Sequence, residues 1–323
     1  MNPVSVGVWT YGMCTDRYVG EGYKPKMDLK ERIEHIGKIK SAAGIEITYP
    51  GDINENNYAE FKPILDKYGL SISGMGVEIV CDKEWATGSL SSPVQEVREK
   101  AITLVKKAMD FAAEINVNVV SLWMGQDGFD YLFQTDYVKA WNDLVESLRE
   151  CAMHNPSIKL GIEYKRSEPR LSCLTKSAGK TLALCMKTGC DNVGITMDIG
   201  HSFNAGENPA EEIALLMSEN RLFHLHFNDN YIIADDDMPV GSVHFLHFAE
   251  MFFWLHRLGY NGWYSLDMYP YRDDPDEAVI ASIKFMEKMD SLIEKSFEDY
   301  SFDTTGTQKP SSILNNLFDK IFA

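Results

Sequence analysis

The sequence predicts an α/β fold, specifically a (β/α)8 TIM barrel with a C-terminal extension. Eight short apolar segments, typical of buried parallel strands, alternate with eight amphipathic helical patterns. No glycine-rich dinucleotide fingerprint follows the first strand, which weakens the alternative of an open, doubly wound sheet. A chain of 323 residues has the length of one such barrel. We expect the barrel at residues 1–296 and the extension at 297–323.

The eight predicted strands are short apolar runs, and each is followed by a longer pattern with helical period. The strands are predicted at residues 4–10, 44–49, 71–79, 117–123, 159–164, 193–198, 222–227 and 263–268. The helices are predicted at 28–42, 55–68, 94–115, 135–153, 176–189, 209–219, 244–258 and 275–295. Asp28, with Glu31 three residues later, indicates a helix start, whereas Gly69 and Gly259 indicate helix ends.

The C-terminal extension begins with a polar stretch and ends with an amphipathic pattern from residue 313 onward. We interpret it as a linker followed by a short helix. The apolar face of this helix is expected to pack on the barrel or on a neighbouring subunit.

The chain is strongly acidic, with 31 basic and 48 acidic residues and a net charge of −17. Such a surface repels nucleic acid phosphates and anionic membranes, so we expect neither as a partner. The charge favours a small neutral or cationic partner or metal ions, although it is also consistent with solubility alone. There is no run of 18 apolar residues and no basic, apolar leader, which predicts a cytoplasmic protein.

Four predicted strands end in an ionisable residue within an apolar setting. These are Glu163 on strand five, Asp198 on strand six, His226 on strand seven and Asp267 on strand eight. The C-terminal strand ends face the active site in barrel enzymes. Three carboxylates there would repel one another without a cation, and oxygen ligands with one nitrogen favour Mn²⁺, with Mg²⁺ or Co²⁺ as alternatives. His224 shares the face of His226 and is interpreted as a core histidine.

A second acidic cluster, Asp235-Asp236-Asp237, follows strand seven. Three consecutive aspartates are usually a solvated loop. However, alternate residues of an extended segment point the same way, so Asp235 and Asp237 can bind a second ion. His201, expected on the loop after strand six, and a bridging Asp198 would complete that site. Two nearby metals polarise substrate oxygens effectively.

Three further side chains are placed near the predicted mouth of the barrel. Lys165 lies two residues beyond Glu163 and can stabilise an oxyanion, or it can form a salt bridge to Glu163 or Glu168. Trp123 ends strand four, and Trp9 lies near the end of strand one. The two indoles belong to the core or form an apolar wall against the C–H faces of a sugar.

Five motifs, in chain order, resemble those of the xylose isomerase-like superfamily of barrel sugar isomerases and epimerases. Residues 123–128 (W-M-G-Q-D-G) resemble W-G-G-R-E-G of xylose isomerases, and 163–169 (E-Y-K-R-S-E-P) resemble E-Y-K-P-x-E-P of L-rhamnose isomerases. Residues 198–201 (D-I-G-H) are similar to the D-x-x-H metal motif. The H-F-N at 226–228, followed by the aspartate loop, and the D-M-Y-P-Y-R at 267–272 resemble the ligands of the last two strands. The resemblance spans about residues 4–295.

The resemblance implies a metal-dependent aldose–ketose isomerase that shifts a hydride between C1 and C2 of an open-chain monosaccharide. The implied ligands of the first ion are of the rhamnose isomerase kind: Glu163, Asp198, His226 and Asp267. The implied ligands of the second ion are Asp198, His201, Asp235 and Asp237. The candidate catalytic residues are Lys165, Glu163, Asp235 and Asp237, and the candidate substrate-binding residues are Trp9, Trp123 and Asn228. Relatives form dimers or tetramers, so a homo-oligomer is expected.

Two departures from the family pattern leave the substrate open. Tyr49 stands near the end of strand two, where xylose and rhamnose isomerases carry a histidine, and Tyr269 stands where xylose isomerases have lysine. The alternative function is a ketose 3-epimerase of the tagatose epimerase type, in which Glu163 and the strand-eight acid transfer protons. The shorter Asp267 and the presence of Lys165 disfavour it. A sugar-binding barrel without activity stays open, and an apurinic endonuclease is disfavoured by the charge of −17.

Overall fold

Eight parallel strands close into a barrel in the computed structural model, which describes residues 1–168, 171–297, 301–302, 305–307 and 309–321. The strands are Val4–Gly7, Ala42–Tyr49, Ser71–Val77, Val119–Trp123, Lys159–Glu163, Val193–Asp198, Leu222–Phe227 and Tyr264–Leu266. Each strand pairs with the next in chain order, and the eighth closes against the first. The (β/α)8 fold class predicted from the sequence is therefore confirmed.

The described part of the chain also forms ten α-helices, most of them on the outside of the barrel. They are α1 Leu29–Lys38, α2 Tyr58–Tyr68, α3 Gln95–Glu114, α4 Tyr137–His154, α5 Ala178–Thr188, α6 Ile199–Ala205, α7 Pro209–Ser218, α8 Phe245–Leu258, α9 Pro275–Phe297 and α10 Pro310–Ile321. Asp28 and Glu31 form a capping box at the start of α1. Gly69 and Gly259 end α2 and α8 with left-handed φ angles of 66° and 69°.

Two local structures at the mouth differ from the prediction. The first strand stops at Gly7, and Trp9 lies in a 3₁₀ turn, Val8–Tyr11, rather than in a strand. His201 lies in the short helix α6 and not on a loop, because the Asp198 side chain caps this helix by accepting a hydrogen bond from the His201 backbone N–H. Neither segment is long enough to show a period in the sequence.

The segments that follow the fourth and fifth strands are tied together by a small antiparallel sheet. Its strands are Gly128–Phe129, Ser167–Glu168 and Leu171–Cys173. Strands of two or three residues have no readable alternation, so the sequence did not predict them. The sheet covers one side of the barrel mouth, next to the predicted site.

The interior of the barrel is polar, whereas the apolar core lies between the strands and the helices. Ser121 Oγ lies 2.8 Å from Thr196 Oγ1, on the fourth and sixth strands, which flank the fifth strand. Ile45, Ile162 and Leu225 are fully buried on the opposite, helix-facing sides of their strands. Because successive residues of a strand point to opposite faces, polar side chains point into the barrel and apolar ones point toward the helices.

The terminal helix α10 packs against the outer layer of the barrel, which is one of the two placements expected. Leu317 is 5% exposed, and Lys320 Nζ donates to the backbone carbonyl of Lys295 in α9. Part of the predicted linker, residues 298–300, 303–304 and 308, lies outside the described residues. The division of the chain at residue 296 stays a prediction. Among the described residues, no helix is both long enough and apolar enough to cross a membrane.

Candidate metal centre

Four side chains from four strand ends meet at the C-terminal mouth of the barrel. Glu163, Asp198, His226 and Asp267 each offer a ligand atom, and these atoms all lie within 4.8 Å of one another. His226 Nδ1 is 3.5 Å from Glu163 Oε1 and 3.3 Å from Asp267 Oδ2. Parallel register explains the convergence, because His226 is paired with Asp198 on the neighbouring sixth strand. These are the four residues that the sequence placed in the first metal site.

A second cluster adjoins the first and shares Asp198 with it. Asp198, His201 and Asp235 also offer ligand atoms within 4.8 Å of one another. His201 Nε2 lies 3.2 Å from Asp235 Oδ2, and His201 Nδ1 lies 3.4 Å from Glu163 Oε1. The two clusters therefore form one continuous group of acids and imidazoles, as a two-ion site requires.

Asp237 lies beside this second cluster and is not one of its three members. Its φ of 46° is left-handed, so the argument that Asp235 and Asp237 are alternate residues of an extended segment is wrong. Asp237 Oδ1 is 3.4 Å from the side-chain nitrogen of Asn228. Its role as a metal ligand stays a prediction, but the alternation of side chains along an extended segment no longer supports it.

Among the described residues, three buried atoms of the proposed metal ligands have no hydrogen-bond partner. They are His201 Nδ1, His226 Nδ1 and Asp235 Oδ1. Leaving one such atom buried and unpaired costs about 1–3 kcal/mol. A divalent cation between these atoms and the neighbouring carboxylates would supply the missing contacts. The donor set of oxygens and imidazole nitrogens therefore fits Mn²⁺, Mg²⁺ or Co²⁺.

Hydrogen bonds hold the carboxylates of the centre in place. Asp198 is fully buried, and its Oδ1 accepts from the His201 backbone N–H while its Oδ2 accepts from Asn228 Nδ2, both at 2.7 Å. Trp9 Nε1 donates to Asp267 Oδ1 at 2.6 Å. Asn228 is itself fully buried, so its position suits holding Asp198 rather than the expected contact with substrate. The partners leave the remaining lone pairs of both carboxylates available to a cation.

Lys165 lies at the edge of the second cluster and is only 8% exposed. Its ammonium group contacts Glu168 and lies 2.8 Å from Asp235 Oδ2. The same group lies 5.2 Å from the centroid of the Trp123 ring. The salt bridge to Glu168 that the sequence left open is thus formed, and Lys165 also contacts the proposed site through Asp235.

The neighbouring carboxylates favour the protonated forms of both histidines of the centre. Burial lowers the pKa of His201, but the charges of Asp198 and Asp235 outweigh burial and raise it to about 9. The pKa of His226 is raised well above its usual range, because Glu46 and Glu163 outweigh burial. Burial raises the pKa of Asp198 to about 7. A cation must therefore displace protons from this centre when it binds.

The metal-free protein should become less stable as the pH rises from 6.5 to about 9.5. A histidine whose folded pKa is raised from 6.5 to about 9 contributes stability below pH 6.5 that is lost as the pH passes the folded value. The loss from His201 is on the order of 3 kcal/mol in the free energy of unfolding. Urea unfolding with a chelator present measures this slope. Saturating Mn²⁺ should reverse the slope, and an equal slope in His201→Gln would contradict the assignment.

Glu46 is a buried residue of the site that the sequence analysis missed. It lies in the middle of the second strand, is fully buried, and accepts hydrogen bonds from His224 and His226 at 3.0 Å. These three residues also offer ligand atoms within 4.8 Å of one another, but both histidines are already hydrogen-bonded to Glu46. A glutamate inside the apolar run G-I-E-I could have indicated a buried functional residue, but the prediction considered only residues at strand ends.

Tyr49 does not take the place of the missing strand-two histidine. Its hydroxyl donates to Glu55 Oε2 at 3.0 Å, and its ring lies 5.7 Å from the ring of Phe111 in α3. The side chain therefore points toward the helices and away from the mouth. The inward positions of this strand are Glu46 and Thr48, because side chains alternate between the two faces.

Comparison with known proteins agrees with this architecture. The family model described as "Xylose isomerase-like TIM barrel" matches residues 36–289. The xylose isomerase of Thermus thermophilus is 23% identical over 289 residues, and the match covers 85% of this chain and 74% of that protein.

Two solved structures share the fold. The structure of L-ribulose 3-epimerase has a TM-score of 0.73 at 16% identity, covering 94% of this chain and 99% of that chain. A D-tagatose 3-epimerase-like protein has a TM-score of 0.68 at 19% identity, covering 91% and 99%. At these identities the structural likeness shows the fold alone.

Proposed function

Because the chain belongs to the xylose isomerase-like TIM-barrel family, we propose that it is a divalent-metal-dependent isomerase that interconverts an aldose and a ketose. The observation that carries the proposal is the pair of adjoining clusters that share Asp198, with Lys165 at their edge. The proposed substrate is an open-chain monosaccharide, and the proposed chemistry is a hydride shift between C1 and C2.

The proposed metal ligands form two groups, one for each of two cations. Glu163, Asp198, His226 and Asp267 would hold the first. Asp198, His201 and Asp235, with Asp237 nearby, would hold the second. When bound, divalent cations supply Lewis acidity that polarises the oxygens of the sugar. The unpaired Nδ1 of His226 lies 3.3 Å from Asp267 of its own cluster. The unpaired Nδ1 of His201 lies 3.8 Å from the shared Asp198 and 3.4 Å from Glu163 of the first cluster, so the two proposed sites adjoin at this point.

Lys165 is the proposed hydrogen-bond donor to the sugar oxygen O1. Burial lowers the pKa of Lys165, but the charges of Asp235 and its neighbours outweigh burial and raise it, so the side chain stays an ammonium. A fixed ammonium that faces a developing oxyanion stabilises it strongly. Trp123 lies beneath this group, and Trp123 and Trp9 would contact the C–H faces of the sugar.

The alternative function is a ketose 3-epimerase, with Glu163 and Asp267 as an acid–base pair. In the structure both carboxylates face the same atom, His226 Nδ1, and Trp9 holds Asp267 from behind. Both functions would use these carboxylates as metal ligands, so their placement does not separate the two. The second cluster of Asp198, His201 and Asp235, with Lys165 beside it, supports the isomerase, because acid–base chemistry at a single ion requires neither.

The isotopic label at C2 distinguishes the two functions. Aldoses carrying deuterium at C2 are incubated with the protein and Mn²⁺, Mg²⁺ or Co²⁺, and the products are examined by NMR. A hydride shift should deliver the label to C1 of a ketose with little exchange, and chelator should abolish turnover. Epimerisation of ketoses at C3 with solvent exchange would contradict the isomerase and support the alternative.

A further inference from the structure

A glutamate crosses the interior of the barrel directly below the proposed metal centre. Glu46 Oε1 lies 3.0 Å from His226 Nε2. Glu46 Oε2 lies 3.0 Å from His224 Nε2 and accepts a hydrogen bond from Ser265 Oγ at 2.5 Å. Both oxygens of one carboxylate thus contact side chains of the seventh and eighth strands, neither of which pairs with the second strand that carries it.

The neighbouring strand leaves room for this long side chain. Gly74 on the third strand is paired with Glu46. A Cβ atom at position 74 would lie 3.2 Å from Glu46 Oε1 and 3.3 Å from His224 Nε2. Any larger residue would crowd both ends of the Glu46–His224 contact. The absence of a side chain at position 74 therefore makes space for the Glu46 side chain.

Hydrogen-bond chemistry decides which ring nitrogens carry hydrogen. Ser265 Oγ donates to Glu46 Oε2, and each oxygen of Glu46 also lies 3.0 Å from an imidazole Nε2 atom, so both oxygens are placed as acceptors, as in an ionised carboxylate. An ionised carboxylate only accepts hydrogen bonds. Both Nε2 atoms must therefore donate. In a neutral His226 the single ring hydrogen then lies on Nε2, which leaves a free lone pair on Nδ1.

We propose that Glu46 is the positioning residue that makes Nδ1 the metal-binding atom of His226. Nδ1 is buried, has no hydrogen-bond partner among the described residues, and lies 3.5 Å from Glu163 Oε1 and 3.3 Å from Asp267 Oδ2. His224 and Ser265 hold the other oxygen of Glu46, so the carboxylate cannot rotate away from His226. This inference rests on the metal centre of the proposed function.

A measurement on the unaltered protein tests the inference directly. Nitrogen-15 NMR of the Mg²⁺-loaded protein distinguishes the two tautomers of each imidazole, and His226 is assigned by the signal missing from His226→Asn. Hydrogen on Nε2 of His226 is expected. Hydrogen on Nδ1 would overturn the inference and leave the proposed function standing. Failure of the unaltered protein to bind any divalent cation would overturn both.

The substitution Glu46→Gln tests the energetic consequence, because it keeps the shape but removes the charge and one acceptor. The dissociation constant for Mn²⁺, measured by calorimetry, should rise at least about tenfold, as for other groups that orient a metal-binding histidine. The visible spectrum of bound Co²⁺ should also change. Unchanged affinity and an unchanged spectrum would overturn the inference.

Tyr49→Phe is the matched control for this substitution. It removes a part-buried hydrogen bond from the same strand, but on the helix-facing side, where Tyr49 donates to Glu55. Its affinity for Mn²⁺ and its Co²⁺ spectrum should equal those of the unaltered protein. A loss as large as that of Glu46→Gln would mean that any disturbance of the strand weakens the site, and would overturn the assignment to Glu46. If Glu46→Gln does not fold, the tautomer measurement decides.

Discussion

Replacing Asp198 with asparagine should abolish both divalent metal binding and isomerase activity. Asp198 is the one residue common to the two clusters, so its charge is lost to both. Its two oxygens already accept from the His201 backbone and from Asn228, and the amide group of an asparagine would point N–H groups at one of these donors. The expected loss of metal affinity exceeds the 10- to 100-fold typical of groups that only orient a ligand.

Metal stoichiometry by elemental analysis and Mn²⁺ affinity by calorimetry measure this effect independently of turnover. Asp290→Asn is the matched control, because Asp290 is also a buried aspartate paired with a histidine, His256, at 2.9 Å, but it lies on the outer helix α9. The control should retain full metal content. A folded Asp198→Asn that keeps both its metals and its turnover would refute the proposed centre.

Replacing Lys165 with methionine should lower kcat by about 10²–10³-fold, or about 3–4 kcal/mol, while metals stay bound. Methionine keeps the unbranched shape of the side chain out to the ε carbon but removes the donor that faces the proposed position of O1. Because the stabilised charge develops in the transition state, KM should change far less than kcat. Steady-state kinetics at saturating metal, together with metal content, measure the effect.

Two further variants separate catalysis by Lys165 from its structural ion pair. Glu168→Gln removes the salt bridge to Lys165 but leaves Asp235 beside it, so kcat should fall much less. Lys159→Met is the control for a lysine over an aromatic ring, because Lys159 lies 5.1 Å from the Phe223 ring and begins the fifth strand, at the end opposite the mouth. Its kcat should not change. An unchanged kcat in Lys165→Met would remove Lys165 from the proposed mechanism.

Local sequence patterns predicted much of the fold and much of the candidate site. Apolar runs that alternate with helical patterns were enough to locate every strand of the barrel. The four ligands of the first cluster were found for a general reason. The last residue of a parallel barrel strand must lie at the C-terminal mouth, whatever the details of packing.

Other parts of the site could not be predicted, because they depend on contacts between distant segments or on local backbone angles. Glu46 contacts histidines 178 and 180 residues away, and no pattern in the second strand points to them. The left-handed φ of Asp237 turned an expected extended segment into a bend. His201 was expected on a loop, but the Asp198 cap makes it part of a helix.

The sequence by itself determined the alternation of strands and helices and the presence of acids and a histidine at four strand ends. These features follow from periodicity and from the direction of parallel strands, which every (β/α)8 barrel shares. Only the tertiary structure decided which nitrogen of His226 faces the carboxylates and which residue holds it there. Closing the barrel brings the second and seventh strands together across its interior, and only that closure puts the Glu46 carboxylate within hydrogen-bonding distance of His226.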